Sequence, residues 1–187
     1  MSLARYKNSG LVFLWITVLV VVLDQWTKSL ASANLNLHDP VGWLPFFNFT
    51  LSHNEGAAFS FLSQAGGWQR WFFTGLAIGV SVLLVVWLAR LPRPARWEAM
   101  ALSLILGGAV GNVIDRITLG YVVDFIDVFY RAESDCFPGF SYWPLDQGCH
   151  WPAFNIADAG ITLGAVMLVI DALFLKRGAP SRTGKEK

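Results

Sequence analysis

The sequence is short of charge, since Lys, Arg, Asp and Glu together make up 14% of its 187 residues, against about 25% in an ordinary soluble domain. Neither sign dominates, because the formal net charge is +1, so nothing suggests a nucleic-acid partner. Hydrophobic residues make up 55% of the chain, and nine tryptophans are present. This composition is typical of a membrane protein with aromatic side chains at its interfaces.

The signatures of several enzyme classes are also absent. The sequence has no H-E-x-x-H of a metalloprotease, no G-x-S-x-G nucleophile elbow, no P-loop and no dinucleotide-binding fingerprint. His38, His53 and His150 lack the spacing of metal ligands. We therefore expect neither a metal nor a cofactor, and carboxylates are the groups left for chemistry.

Four apolar stretches are long enough to cross a membrane as helices, at 10–30, 71–89, 99–117 and about 154–175. They predict a mainly α-helical integral membrane fold with one domain over residues 1–175. Residues 176–187 are rich in Gly, Pro, Ser and Lys and have no apolar face, which predicts a disordered cytoplasmic tail.

The basic residues predict the orientation of these spans. Ten of the 14 Lys and Arg residues precede the first span, separate the second from the third, or follow the fourth. Because such residues collect in cytoplasmic loops, we expect both termini in the cytoplasm and the two long connections outside. In those connections, alternation at 47–52 and the β-branched and aromatic run at 121–129 predict two strands of a small antiparallel sheet.

Polar residues gather at the predicted outer ends of three spans. A charge near the bilayer centre costs at least about 2.5 to 3.5 kcal/mol, so charges in a span usually mark a site or a buried pair. The polar residues at the outer ends are Asp24 and Lys28 in the first span, Asn112, Asp115 and Arg116 at the end of the third, and Asn155 and Asp158 at the start of the fourth. The pattern predicts a polar site at the outer membrane surface, closed by the strand that holds Asp124 and Asp127.

Two carboxylates held close together share one proton, so that one is a base toward water and the other an acid toward a substrate carbonyl. Such a pair hydrolyses amides without a metal. The residues alone leave the choice open among Asp24, Asp115, Asp124, Asp127 and Asp158.

Structural interpretations compete for some of these carboxylates. Asp24 and Lys28 are four residues apart on one helix face and suit an ion pair. Asp115, beside Arg116 at a helix end near water, suits a structural role equally well. We expect a solvated loop to hold Asp127, Glu133, Asp135 and Asp146.

Five sequence blocks, in order along nearly the whole chain, resemble those of signal peptidase II, the lipoprotein signal peptidase family of bacteria. Each block alone is a weak signal, but five on four spans of the right orientation are specific. The blocks are D-Q-W-T-K at 24–28, H-N-E-G-A-A-F-S at 53–60, G-N-V-I-D-R at 111–116, G-Y-V-V-D-F at 120–125 and W-P-A-F-N-I-A-D at 151–158.

The resemblance implies an aspartic endopeptidase of the bacterial inner membrane that needs no cofactor and works at the outer leaflet. It cuts the signal peptide from a diacylglyceryl-modified prolipoprotein, just before the lipidated cysteine. Asp124 and Asp158 would be the catalytic dyad, with Asp158 the readier base because it begins a helix. The resemblance places Asn54, Asn112, Arg116 and Asn155 along the site, with Asp24, Lys28, Gly56, Asp115 and Ala157 in supporting positions.

This assignment implies two partners, a lipid-modified prolipoprotein substrate and membrane phospholipid. The sequence leaves the oligomeric state open, and we expect a monomer. The stretch between Asp124 and Asp158 looks longer than is usual in the family. It holds Cys136 and Cys149, and it could be a lid, a loop clamped by a disulfide between them, or a mobile loop with free thiols.

A small proton-coupled transporter or channel is the alternative function, because intramembrane Asp, Arg and Lys also build ion paths. Such a path needs polar groups through the inner half of the membrane. The segments 77–89 and 99–109 carry no charge, which favours a site open on one side only. A purely structural membrane subunit would leave the aspartates without a purpose.

Overall fold

The computed structural model describes residues 9–56, 67–92, 95–132, 135–143 and 148–175. Within them, four helical segments are long and apolar enough to cross a membrane. The tail at 176–187, the basic residues Arg5 and Lys7, and the loop carboxylates Glu133 and Asp146 lie outside the described residues. The predicted integral membrane fold is confirmed. Its helices are α1 (Leu14–Asn34), α2 (Trp68–Arg90), α3 (Arg96–Thr118) and α4 (Ile156–Ile170).

The helix ends differ from the predicted spans. A 3₁₀ turn at Gly10–Phe13 precedes α1, which continues to Asn34, past the predicted end at 30. At the other end of the chain, α4 begins at Ile156 and not at 154, and a π-helical turn follows it at Asp171–Leu175. The late start has a physical reason, because Phe154 pairs with Ile126 of a strand and Asn155 caps the helix.

The described residues contain five strands, β1 (Val41–Leu44), β2 (Phe47–Asn54), β3 (Val122–Arg131), β4 (Ser141–Trp143) and β5 (Gly148–His150). They form one antiparallel sheet with the strand order β1-β2-β3-β5-β4. Two of the strands, β2 and β3, are the two that the sequence predicts. The other three are short, and β4 and β5 lie in the longer stretch between Asp124 and Asp158, where no alternation marks them.

A disulfide joins Cys136 to Cys149. Cys149 lies on β5 and faces Tyr130 of β3 across the ladder. The described part of this stretch is therefore an additional pair of strands at the edge of the sheet, tied to the preceding loop by the disulfide.

Helix α3 is the most buried of the four and packs against the other three. Leu88 of α2 and Leu102 of α3 are fully buried in the apolar cluster between these helices. Small residues bring α3 and α4 close together, and Gly164 of α4 lies against the backbone of α3.

Replacement of Gly164 by alanine tests this close packing. An added Cβ would lie 2.5 Å from the Ala101 carbonyl oxygen and 2.6 Å from Ile105 Cγ1. We expect Gly164→Ala to lower the free energy of unfolding in detergent by about 1 to 3 kcal/mol, as overpacking usually does. Gly79→Ala on α2 is the matched control, because no described atom lies within 4 Å of its added Cβ. Equal stability of the two variants would contradict the packing.

Candidate active site

Lys28 of α1 is buried between two carboxylates. Its Nζ lies 2.8 Å from Asp24 Oδ2 and 2.9 Å from Asp115 Oδ2 of α3, and it donates to Asn112 Oδ1 at 3.0 Å. The predicted pair of Asp24 and Lys28 therefore has a third charged member. The expectation that Asp115 lies near water is wrong, since this residue is 2% exposed. A carboxylate at the end of α3 is buried because Lys28 neutralises it.

The same two carboxylates also connect the helices to the segments that follow them. Asp24 Oδ1 accepts a hydrogen bond from the Ala157 backbone N–H of α4 at 2.9 Å. Asp115 Oδ2 accepts from the Val123 N–H of β3 at 3.0 Å. The buried charges thus set α1 and α3 against β3 and the start of α4.

Two asparagines extend this network. Asn112 donates through Nδ2 to Asp158 Oδ1 at 2.8 Å. Asn155, fully buried, donates through Nδ2 to Asp124 Oδ1 at 2.7 Å and to Asn112 Oδ1 at 3.2 Å. Its side-chain oxygen also accepts the Asp158 N–H at 2.9 Å, which caps α4. Asn155 is therefore in contact with both Asp124 and Asp158.

Asp124 and Asp158 lie in different environments. Asp124, in the middle of the sheet, is 2% exposed, and its second oxygen accepts from Asn54 Nδ2 at 3.1 Å. Asp158 lies in the first turn of α4 and is only partly buried. Burial raises the pKa of Asp124 to about 7, and repulsion by the Asp158 carboxylate adds to this rise, while the amide donors of Asn54 and Asn155 oppose it. Asp124 therefore keeps a proton under conditions in which an ordinary aspartate has lost it.

Arg116 closes one side of this group. Its Nη2 donates to the Gly56 carbonyl at 3.0 Å and its Nη1 to the Asn112 carbonyl at 3.4 Å. Gly56 in turn donates its N–H to Asn54 Oδ1 at 3.0 Å. Hydrogen bonds and ion pairs therefore link every site residue that the resemblance predicts, from Asp24 to Asp158.

A family model described as signal peptidase (SPase) II matches residues 16–174. The chain belongs to the signal peptidase II family. A protein named lipoprotein signal peptidase from Acinetobacter baumannii is 54% identical over 182 residues, which are 97% of this chain and 94% of that protein. Another with this name, from Teredinibacter turnerae, is 54% identical over 159 residues, or 85% of each chain.

Two solved structures share the fold of this signal peptidase II. One, described as a bacterial membrane enzyme determined by the in meso method at 2.3 Å resolution, is 30% identical and covers 94% of each chain with a TM-score of 0.72. The other, described in the same words at 1.9 Å resolution, is 31% identical with a TM-score of 0.68. It covers 87% of this chain and 93% of that chain.

Membership of the family decides between a protease and a transporter or channel, the two functions considered from the sequence. A signal peptidase II is a hydrolase of the aspartic type and a multi-pass protein of the bacterial inner membrane. The alternative of a transporter or channel has no support from the family or from its relatives.

The structure corrects the prediction for Asp127. This residue was expected in a solvated loop, but it is 3% exposed on β3 and hydrogen-bonded to His150 Nδ1 at 2.8 Å. Asp135, expected in the same loop, is exposed. Asp127 is buried because three polar side chains of neighbouring strands surround its carboxylate.

Sequence reasoning missed several polar residues of this network. Gln25 Nε2 donates to Asp115 Oδ1 at 2.8 Å, and Asn48 and Thr50 contact Asp127. Gln25 lies inside a motif block, so its place beside Asp24 was an available signal. The even-numbered residues of the alternating stretch 47–52 are polar, and two of them, Asn48 and Thr50, are buried as members of a network across the sheet.

Proposed function

We propose that Asp124 and Asp158 perform the cleavage by which this signal peptidase II removes the signal peptide from prolipoproteins. The observation that carries the assignment is that Asn155 donates to both carboxylates. Its Nδ2 donates to Asp124 Oδ1 at 2.7 Å, in the sheet, and its backbone N–H donates to Asp158 Oδ2 at 3.4 Å, at the start of α4. One shared proton then makes the pair an acid and a base at the same time.

In the proposed reaction, Asp124 carries the proton and donates a hydrogen bond to the carbonyl oxygen of the scissile peptide. Asp158, whose carboxylate accepts hydrogen bonds from Asn112 Nδ2 and from the Asn155 N–H, takes a proton from a water molecule whose oxygen attacks the carbonyl carbon. A proton then passes from the pair to the peptide nitrogen, the carbon–nitrogen bond breaks, and the pair again holds one proton. The proton belongs to the pair rather than to one residue.

The surrounding residues have two proposed roles. The residues that line the site orient the dyad or contact the backbone of the substrate, and they are Asn54, Asn112, Arg116 and Asn155. Buried ion pairs and hydrogen bonds support these residues, and they are made by Asp24, Lys28, Asp115 and Ala157. Gly56 holds the turn after β2 against Arg116.

We place both termini in the cytoplasm and the site at the outer leaflet. The distribution of Lys and Arg supports this orientation. Exposed tryptophans at the helix ends and in the sheet beside the site support a membrane interface at its level, and these are Trp26, Trp43, Trp68 and Trp71. The acyl chains of a lipid-modified precursor hold its modified cysteine at the membrane surface, so the scissile bond meets the site at that depth. We propose that the enzyme acts as a monomer surrounded by phospholipid.

Cleavage of a lipid-modified precursor by the purified protein in detergent tests the proposed substrate. We expect the enzyme to cut a diacylglyceryl-modified prolipoprotein immediately before the modified cysteine, which the masses of the two products determine. The control is the same precursor without the lipid, and we expect at least about a tenfold lower rate because the anchoring at the membrane surface is lost. Equal cleavage of both precursors, or a cut at another bond, would refute the proposed specificity.

The pH dependence of cleavage tests the proton on Asp124. Since the pKa of Asp124 is raised to about 7, kcat/KM should fall about tenfold per pH unit above this pH, as the shared proton is lost. It should also fall at low pH, where a second proton on the pair removes the base. Asn54→Ala removes a donor that lowers the pKa of Asp124, so the fall should begin at a higher pH.

Asn36→Ala is the control for this experiment, because the Asn36 amide donates to the exposed Asp39 outside the site. Its pH profile should match that of the unmodified enzyme. A profile that continues to rise above pH 8 in the unmodified enzyme would show that Asp124 is not the group that must be protonated.

A further inference from the structure

The carboxylate of Asp127 connects three neighbouring strands. It accepts hydrogen bonds from Thr50 Oγ1 at 3.0 Å and Asn48 Nδ2 at 3.3 Å, both on β2, and from His150 Nδ1 at 2.8 Å on β5. All four side chains are buried, with exposed fractions of 5% or less. A single acceptor on β3 thus links the strand on either side of it.

Each of the three strands leads either to Asp124 or to an asparagine that donates to it. Strand β2 ends at Asn54, which donates to Asp124, and β3 carries Asp124 itself. After β5 the chain stays beside β3, with the Trp151 N–H donating to the Val128 carbonyl at 2.8 Å. Backbone hydrogen bonds between Phe154 and Ile126 continue this pairing up to Asn155.

The ladder between β2 and β3 is irregular where this alignment matters. Asn48 faces Asp127 in one register, Ser52 faces Asp124 in another, and the shift falls between Phe49 and Ser52. A shift of this kind disrupts the backbone ladder locally, so side-chain hydrogen bonds contribute to the alignment of the two strands there. Thr50 lies inside the shifted stretch, and its hydroxyl is bonded to Asp127.

We propose that Asp127 is a positioning residue for the dyad. Its carboxylate holds β2 and β5 at fixed positions along β3, so that Asn54 and Asn155 reach the two oxygens of Asp124. Asp127 acts through these two asparagines and does not touch the substrate. This inference rests on the proposed dyad of Asp124 and Asp158.

The test is the effect of Asp127→Ala and Thr50→Val on cleavage of a diacylglyceryl-modified prolipoprotein by the full-length protein. We expect kcat to fall about 10- to 100-fold, as displaced catalytic groups usually cause, while KM and the dissociation constant of the precursor stay within about twofold. Thr50→Ser keeps the hydroxyl donor and should retain a kcat close to that of the unmodified enzyme. Asp39→Ala, an exposed carboxylate outside the site, is the matched control.

The outcomes separate positioning from structural support. An unchanged kcat in Thr50→Val and Asp127→Ala would overturn the inference, and so would a loss of precursor binding in proportion to the loss of kcat. Because Asp127→Ala leaves buried donors without their acceptor, it could fail to fold, and the comparison of Thr50→Val with Thr50→Ser then decides. Asp124→Asn is measured in the same assay. If this variant cleaves at the unmodified rate, the dyad assignment is wrong and the inference about Asp127 falls with it. If only the inference about Asp127 is wrong, Asp124→Asn is still inactive.

Discussion

Asp124→Asn and Asp158→Asn are each expected to lower the rate constant for cleavage of a diacylglyceryl-modified prolipoprotein by at least about 10³-fold. An amide has nearly the shape of the carboxyl group but neither takes a proton from water nor gives one to the substrate, and proton transfer contributes about 10² to 10⁴ in rate. The loss should appear in kcat, measured as single-turnover cleavage, because both variants keep the polar side chains that line the site and bind the peptide.

The double variant provides a further test of the dyad. Since the two carboxylates act as one unit, replacing both should reduce the rate little more than replacing either. Asp39→Asn, at an exposed position, is the control, and unfolding temperatures show whether each variant is folded. If either single variant cut at close to the unmodified rate, Asp115 and Asp127 would be the next carboxylates to test.

Lys28→Met is expected to lower the free energy of unfolding by about 3 to 5 kcal/mol, the usual effect of removing one partner from a buried ion pair. Methionine fills a similar volume but leaves the carboxylates of Asp24 and Asp115 buried without their cation. The measurement is the thermal or denaturant midpoint of the purified protein in detergent. Activity should fall as well, because Asn112, which contacts Lys28, also donates to Asp158.

Second-site replacements distinguish uncompensated charge from lost packing. Asp115→Asn in the Lys28→Met background removes one of the unpaired charges and should restore part of the stability, a coupling that a double-mutant cycle measures. Arg90→Met, at the exposed end of α2, is the control for loss of a cation. An unchanged midpoint in Lys28→Met would contradict the view that these ion pairs hold α1 and α3 together beside the site.

The choice of the two catalytic aspartates depends on both the sequence and the structure. The residues alone left five aspartates as candidates, and only the resemblance singled out Asp124 and Asp158. The structure pairs Asp24 and Asp115 with Lys28 and hydrogen-bonds Asp127 to His150, while Asp124 and Asp158 share Asn155. Spacing along the chain cannot reveal these pairings, because the partners come from different helices and strands.

The sequence by itself determined the four apolar spans, the two longer strands and the gathering of polar residues at one end of the spans. These features depend on periodicity and composition within a few neighbouring residues. Only the tertiary structure decided the start of α4, the burial of Asp115 and Asp127, the strands β4 and β5, and the pairing of Asp24 with the Ala157 N–H across 133 residues. The physical reason is that burial of a polar group depends on the partners that satisfy it, and here distant segments of the chain supply those partners.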